Sequence, residues 1–308
     1  MRKLLAALLC LLLLTGCAPV PEQTEGIWFT DDTGTTVCVP ENPPKVAVLL
    51  SSLADLWLTA GGTIDITVGE TVERGFADGN VILVDSGAGK TIDVETLVAQ
   101  NPDFVIYSSD LAGQASCADV LRDAGIPTAG FAVETFEDYL RVLKIFTEIL
   151  RTPERHETYG TDLKTRIDDL IASARTVADQ PDILFVRAGS SAKVTKAKIA
   201  QNHFACVMLQ NLGTRNIAEA APVLLDGLST EEILLADPDV ILFTTMGDEK
   251  AGAAFMESYL SDPVWRNLSA VRQGRVYQLP KELFQYKPNA RWGEAYEYLI
   301  QLLYGEIT

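Results

Sequence analysis

The segment Phe284-Gln285-Tyr286-Lys287-Pro288-Asn289-Ala290-Arg291-Trp292 gathers rings and cations into one short stretch. Tyr286 and Trp292 offer aromatic faces to a planar ligand, and Lys287 and Arg291 offer charge to an anionic one. A second basic cluster follows Arg187, with Lys193, Lys196 and Lys198 close together. The chain carries 42 Asp and Glu against 25 Lys and Arg, for a formal net charge of −17. Against that background, two local groups of cations predict recognition of a small anion. Bond-making chemistry has no comparable support. Ser190-Ser191-Ala192-Lys193 has S-x-x-K spacing, but no K-T-G accompanies it. Gly87-Ala88-Gly89-Lys90-Thr91 imitates the end of a phosphate loop, yet Val84 stands where the first glycine belongs. No G-x-S-x-G occurs, and no nucleophile is paired with a base. His156 and His203 are the only histidines and lie far apart, so a directly bound metal ion and a resident cofactor are not expected.

Cys17 is a different kind of reactive residue. Arg2 and Lys3 precede the apolar run Leu4 to Leu14, which is too short for a membrane span of ~20 residues. It reads as the core of a signal peptide over residues 1–16. Leu14-Thr15-Gly16-Cys17 has the form of a lipobox, which makes Cys17 the expected site of lipid attachment. Residues 17–26, polar and containing proline, then read as a tether. The expected location is outside the cell membrane, held by the lipid anchor alone. Cys38, Cys117 and Cys206 are scattered, with no C-x-x-C spacing, and are expected to be small buried hydrophobes. The acidic surface argues against nucleic acid as a partner.

The elements that would position these residues alternate. Trp28 to Val39 reads as a hairpin. Pro44 to Leu50 reads as a buried strand running into Ser51-Ser52, an expected cap for a helix to Thr59. Helices are expected over 93–100, 117–124 and 135–150, and strands over 104–107 and 127–131. Pro153 opens a long polar helix to about residue 176, with Gly160 as a mild blemish inside it. The alternation then resumes. Strands are expected over 183–186, 240–243 and 275–279, and helices over 204–212, 230–236, 253–260 and 291–304. Such a pattern is α/β, and 308 residues suit two lobes better than one core. The boundaries follow as a first lobe over 27–152, a linker helix over 153–178 and a second lobe over 179–308.

One passage occurs twice. Glu95-Thr96-Leu97-Val98-Ala99-Gln100-Asn101-Pro102-Asp103-Phe104-Val105-Ile106 matches Glu231-Glu232-Ile233-Leu234-Leu235-Ala236-Asp237-Pro238-Asp239-Val240-Ile241-Leu242. Each reads as a helix, a Pro-Asp stop and a buried strand, as two similar lobes would show. This repeat joins Phe29-Thr30-Asp31-Asp32-x-Gly34, Pro44-Lys45-Val46-Ala47 and Leu212-Gly213-x-x-Asn216-Ile217-Ala218. Asp262-Pro263-x-Trp265 and Ala270-Val271-x-x-Gly274-Arg275-Val276-Tyr277 complete the series. In that order along the chain, these segments resemble the substrate-binding proteins of ABC importers for ferric siderophores, haem and cobalamin.

The resemblance implies two Rossmann-like lobes joined by a single long α-helix, with the ligand cleft between them. It implies an iron(III)-siderophore-type chelate as ligand, and an ABC permease with its ATPase as partners of a monomeric receptor. It also implies that Glu95 and Glu231, one per lobe, dock on the permease. Ligands of open α/β sheets bind beyond the carboxyl ends of the strands. That places Ser51, Ser52, Tyr107, Ser108, Arg187, Thr244 and Thr245 in the expected cleft, with Lys193, Tyr286, Lys287, Arg291 and Trp292. A cobalamin or haem receptor of the same family is the first alternative, and an extracellular enzyme on the same fold is the second.

Overall fold

The structure is a computed structural model that describes residues 26–85, 91–177 and 180–305. Cys17, the lipobox, most of the tether and Gly87–Lys90 lie outside the described residues. Strands β1 (Ile27–Thr30) and β2 (Thr36–Val39) form an antiparallel hairpin. Asp31 closes its turn and also accepts a hydrogen bond from the Gly130 backbone N–H at 2.8 Å, which fastens the hairpin to the first lobe.

Five parallel strands make the first sheet: β3 (Val46–Val48), β4 (Ile66–Thr67), β5 (Ile82–Leu83), β6 (Phe104–Ser108) and β7 (Thr128–Phe131). Their spatial order is β5-β4-β3-β6-β7, a doubly wound arrangement with the reversal between β3 and β6. The second sheet uses β8 (Asp182–Ala188), β9 (Lys196–Ala197), β10 (Arg215–Asn216), β11 (Val240–Thr245) and β12 (Val276–Gln278). Its parallel strands run in the order β10-β8-β11-β12, and β9 pairs antiparallel with the end of β8. The central strands β6, β8 and β11 are apolar on both faces, as sheets covered on both sides require.

The chain passes between the sheets through one helical run: Pro153–His156, a π-helical turn Glu157–Asp162, and Leu163–Arg175. Gly160, which reads as a blemish in the sequence, lies in the π turn and is buried against Leu143 and His156. The extra residue of a π turn leaves a backbone carbonyl short of its helical donor. The Tyr139 hydroxyl donates to the Tyr159 carbonyl at 2.9 Å, inside that turn.

The repeated passage has a shared structure. The helices Val94–Gln100 and Thr230–Ala236 are each capped by a side chain, Asp93 in one lobe and Ser229 in the other. Each ends in a left-handed residue, Asn101 at φ 47° and Asp237 at φ 41°. The next aspartate then binds the neighbouring strand. Asp103 accepts from the Lys45 N–H and returns its own N–H to the Lys45 carbonyl. Asp239 does the same with Asp182. The Pro-Asp pair therefore sets where a strand enters its sheet.

Differences from the sequence reading are local. The helix begins at Ser51 with Leu50 at its cap, so the Ser51 hydroxyl is not a capping group. The helix expected over 117–124 is the longer Ala112–Asp123, and that expected over 253–260 starts at Glu249. Strands β4 and β5, with the short helix Gly69–Glu73 between them, had no counterpart in the reading.

Candidate functional site

Strand alternation decides which residues at the carboxyl ends can face the cleft. On β6, Phe104 and Ile106 belong to the core that runs between the lobes, whereas Val105 and Tyr107 belong to the opposite face. Ser108 thus faces the cleft and Tyr107 faces away. The Tyr107 ring lies over Gly130, where even a Cβ would come within 2.5 Å of it, and its hydroxyl accepts from Arg122. Tyr107 is therefore a packing residue and not the cleft residue expected, whereas Ser108, expected beside it, lines the cleft.

A cavity of about 330 Å³ lies between the lobes. Ser51, Ser52 and Ser108 reach it from the first lobe, and Tyr286 and Lys287 from the second. A second cavity of about 640 Å³ adjoins it, and Glu70, Tyr286 and Lys287 line both. These volumes fall in the range of small-ligand sites. Arg291 lines the second cavity, but its guanidinium makes two 2.7 Å bonds to Glu294 one helical turn away.

Two residues that the sequence reading missed organise the first-lobe wall. Ser51 Oγ donates to Glu70 Oε2 at 2.6 Å, and Arg74 Nη1 donates to Ser51 Oγ at 2.8 Å. The Arg74 guanidinium lies 4.0 Å from the ring centroid of Tyr286 and 4.8 Å from that of Phe76. Burial holds the Arg74 pKa below its ordinary value, against the pull of Glu70 and Asp55. Glu70 and Arg74 sit in and just after Gly69–Glu73, a five-residue helix too short to show periodicity.

The stretch 284–292 crosses from lobe to lobe. Lys287 Nζ pairs with Glu134 Oε2 of the first lobe at 2.8 Å and stands over the Phe204 ring at 4.7 Å. Asn289, buried and at φ 48°, donates to the Ser52 carbonyl and to Asp55 Oδ2, both at 2.8 Å. Burial raises the Asp55 pKa, and the Asn289 bond partly offsets that. Trp292 is only 1% exposed, wedged edge-to-face between Phe136 and Phe204. It joins the lobes as packing and does not line the cleft.

On the second lobe, Arg187 Nε donates at 3.3 Å to Gln285 Oε1, and Gln285 lines the first cavity. Thr244 is its register partner on β11; Thr244 and Thr245 are fully buried, and neither hydroxyl has a partner. Lys193 is exposed on the turn Ala192–Val194 and is not brought to the cavity. Glu95 and Glu231 are exposed, each the second residue of its helix, so the lobes present them at equivalent positions. Among the described residues no cluster of His, Cys, Asp and Glu could hold a metal ion.

The sequence profile described as periplasmic binding protein matches residues 46–283. The chain belongs to this family. No curated protein matches it in sequence. The haem-binding protein RhuT from Roseiflexus sp. RS-1, in apo form, superposes with a TM-score of 0.68 at 20% identity, covering 86% of this chain and 98% of RhuT. Staphylococcus aureus SirA, complexed with staphyloferrin B, gives 0.69 at 17% identity, covering 92% and 100%. S. aureus IsdE, complexed with haem, gives 0.68 at 14% identity, covering 84% and 98%. At these identities the likeness speaks for the two-lobed fold. Among the described residues of this periplasmic binding protein, no helix is long and apolar enough to cross a membrane.

Proposed function

We propose that the protein is an extracytoplasmic solute receptor, lipid-anchored through Cys17, that captures an iron(III)-siderophore-type chelate between its lobes and delivers it to an ABC importer. The observation that carries this reading is the cavity between the lobes at the carboxyl ends of the first sheet's strands, lined by Ser51, Ser52 and Ser108 from one lobe and Tyr286 and Lys287 from the other. Ligands enter open α/β sheets at that edge. Family membership supports the extracytoplasmic location and the receptor role. SirA supports a chelate as cargo, and RhuT and IsdE keep haem as the second reading. Holding a ligand needs no acid–base pair.

The test is a fluorescence titration of the chain from Ala18 onward with ferric siderophores, haem and cobalamin. Trp292 gives it a reporter, because it packs on Phe204, the ring beneath Lys287. Saturable quenching by one class at micromolar Kd or tighter, about −8 kcal/mol, is the expected result. A folded protein that binds none of them would refute the chelate reading.

A further inference from the structure

Resting on the reading of Cys17 as a lipid anchor, we propose that the outer face of the β1–β2 hairpin, led by Trp28, seats in the interface of the bilayer to which the chain is tethered. The sequence holds 4 tryptophans; Trp57, Trp265 and Trp292 are buried, whereas Trp28 is 58% exposed. The register explains its position. Ile27, Phe29, Val37 and Val39 turn one side of the hairpin to the core. Trp28, Thr30, Thr36 and Cys38 take the other side, with Trp28 directly across from Cys38. None of these four is charged. The carboxylates that flank the face are engaged elsewhere. Asp31 and Asp32 at the turn accept from the backbone N–H groups of Gly130 and Ala132, and Glu41 beyond β2 pairs with Arg151. The hairpin thus shows a neutral outer face with one large ring, in a chain of net charge −17.

The tether selects the occupant. From Cys17 to Gly26 a chain reaches at most about 32 Å, at ~3.5 Å per residue. A folded body of about 280 residues is about 50 Å across. The tether is therefore shorter than the molecule, and the surface beside Gly26 is the part held next to the bilayer. Trp28 follows Gly26 by two residues. A short tether also gives a high effective concentration, so a contact too weak to hold a free protein becomes populated. An indole suits that depth, with its ring against the acyl chains and its N–H among the headgroups. Anionic headgroups repel an acidic surface, and a neutral face escapes that repulsion. A second copy of the chain fits less well. One tryptophan buries at most about 250 Å², and a stable interface needs about 1,200 Å² in total. Seated in this way, the first lobe lies on the bilayer along its hairpin, and the receptor has a preferred orientation there.

The experiment uses the full chain purified from membranes, with the lipid on Cys17 checked by mass spectrometry. It is reconstituted in phosphatidylcholine vesicles with and without brominated acyl chains. Trp28→Ser reports the three buried tryptophans, so wild type minus variant is the emission of Trp28. Brominated chains are expected to lower that emission by about half, as for a ring at the interface. Acrylamide, a neutral quencher, is expected to act about threefold less on Trp28 in vesicles than in the untethered chain from Ala18 onward. Thr30→Glu with Thr36→Glu keeps Trp28 and is expected to restore acrylamide access in vesicles. All three substituted residues are exposed, so the variants are expected to fold. A Trp28 that brominated chains do not quench and acrylamide reaches fully overturns the inference while the anchor reading stands. Shielding from acrylamide without quenching by brominated chains gives the face to a second copy or another protein and overturns it equally. A Cys17 without lipid overturns the anchor reading, and the seated hairpin falls with it.

Discussion

Arg74 is the residue on which the first-lobe wall depends. It holds Ser51 and Ser52, balances Glu70, and carries Tyr286 from the other lobe on its guanidinium face. Arg74→Lys keeps the charge but loses the planar stack, and Arg74→Ala loses both. Urea unfolding is expected to show a loss of about 1 kcal/mol for the first and about 2–3 kcal/mol for the second. Nothing in the sequence singled out Arg74, because its neighbours show no helical period and Ser51, Ser52 and Tyr286, which it joins, are more than twenty positions away. The serines were legible from the strand–turn–helix pattern, although the role assigned to Ser51 was a cap and not a hydrogen bond to Glu70. His203 carries a second prediction at this scale. Burial, then the cations Lys287, Arg187 and Lys198, lowers its pKa from 6.5 to about 3, so it stays neutral in the fold. As pH falls below 6.5 the unfolded chain takes up this proton first, and stability contributed by neutral His203 is lost progressively down to about pH 3. The loss is roughly 1.4 kcal/mol per pH unit in that window. His203→Asn keeps an acceptor for the Ala205 N–H and is expected to flatten the acid limb of a stability–pH curve.

At the scale of elements, the Pro-Asp repeat was the most legible feature of the chain, and the structure explains why. Asp103 pins Lys45, just before β3, and Asp239 pins Asp182, the first residue of β8, so the motif recurs where each sheet must be entered in register. Replacing either by Ala leaves a backbone N–H of the neighbouring strand without its acceptor. Each change is expected to cost about 1–2 kcal/mol in denaturant unfolding, with similar values in the two lobes; a large asymmetry would show that the lobes use the motif differently. Short parallel strands were the hardest to read. Strands β4 and β5 are two residues long and Ile82 and Leu83 are only partly covered, so neither alternation nor an unbroken apolar run marks them. The π turn was equally hidden, since Glu157–Asp162 has the composition of any polar helix surface.

At the scale of the whole molecule, two α/β lobes and the helical passage between them were legible from the alternation of elements, because each lobe repeats the same unit. Which side chains cross from lobe to lobe was not legible, since those contacts join residues more than 150 positions apart. The docking proposed for Glu95 and Glu231 belongs to this scale. Both are exposed at matching positions, and a permease with two-fold symmetry would read them together. Glu95→Ala or Glu231→Ala is expected to lower uptake by cells, and the pair to abolish it, while Kd for the cargo in solution stays unchanged. Uptake that survives the double substitution at normal expression would remove both residues from the interface.

The stretch 284–292 begins where the family match ends, at residue 283. It brings Tyr286 and Lys287 to the cleft, and Lys287, Asn289 and Trp292 across to the first lobe. One wall of the cleft and its crossings are therefore encoded in a single contiguous peptide. A transplant of 284–292 into a related receptor is therefore expected to move that wall and the coupling of the lobes together, as one heritable cassette.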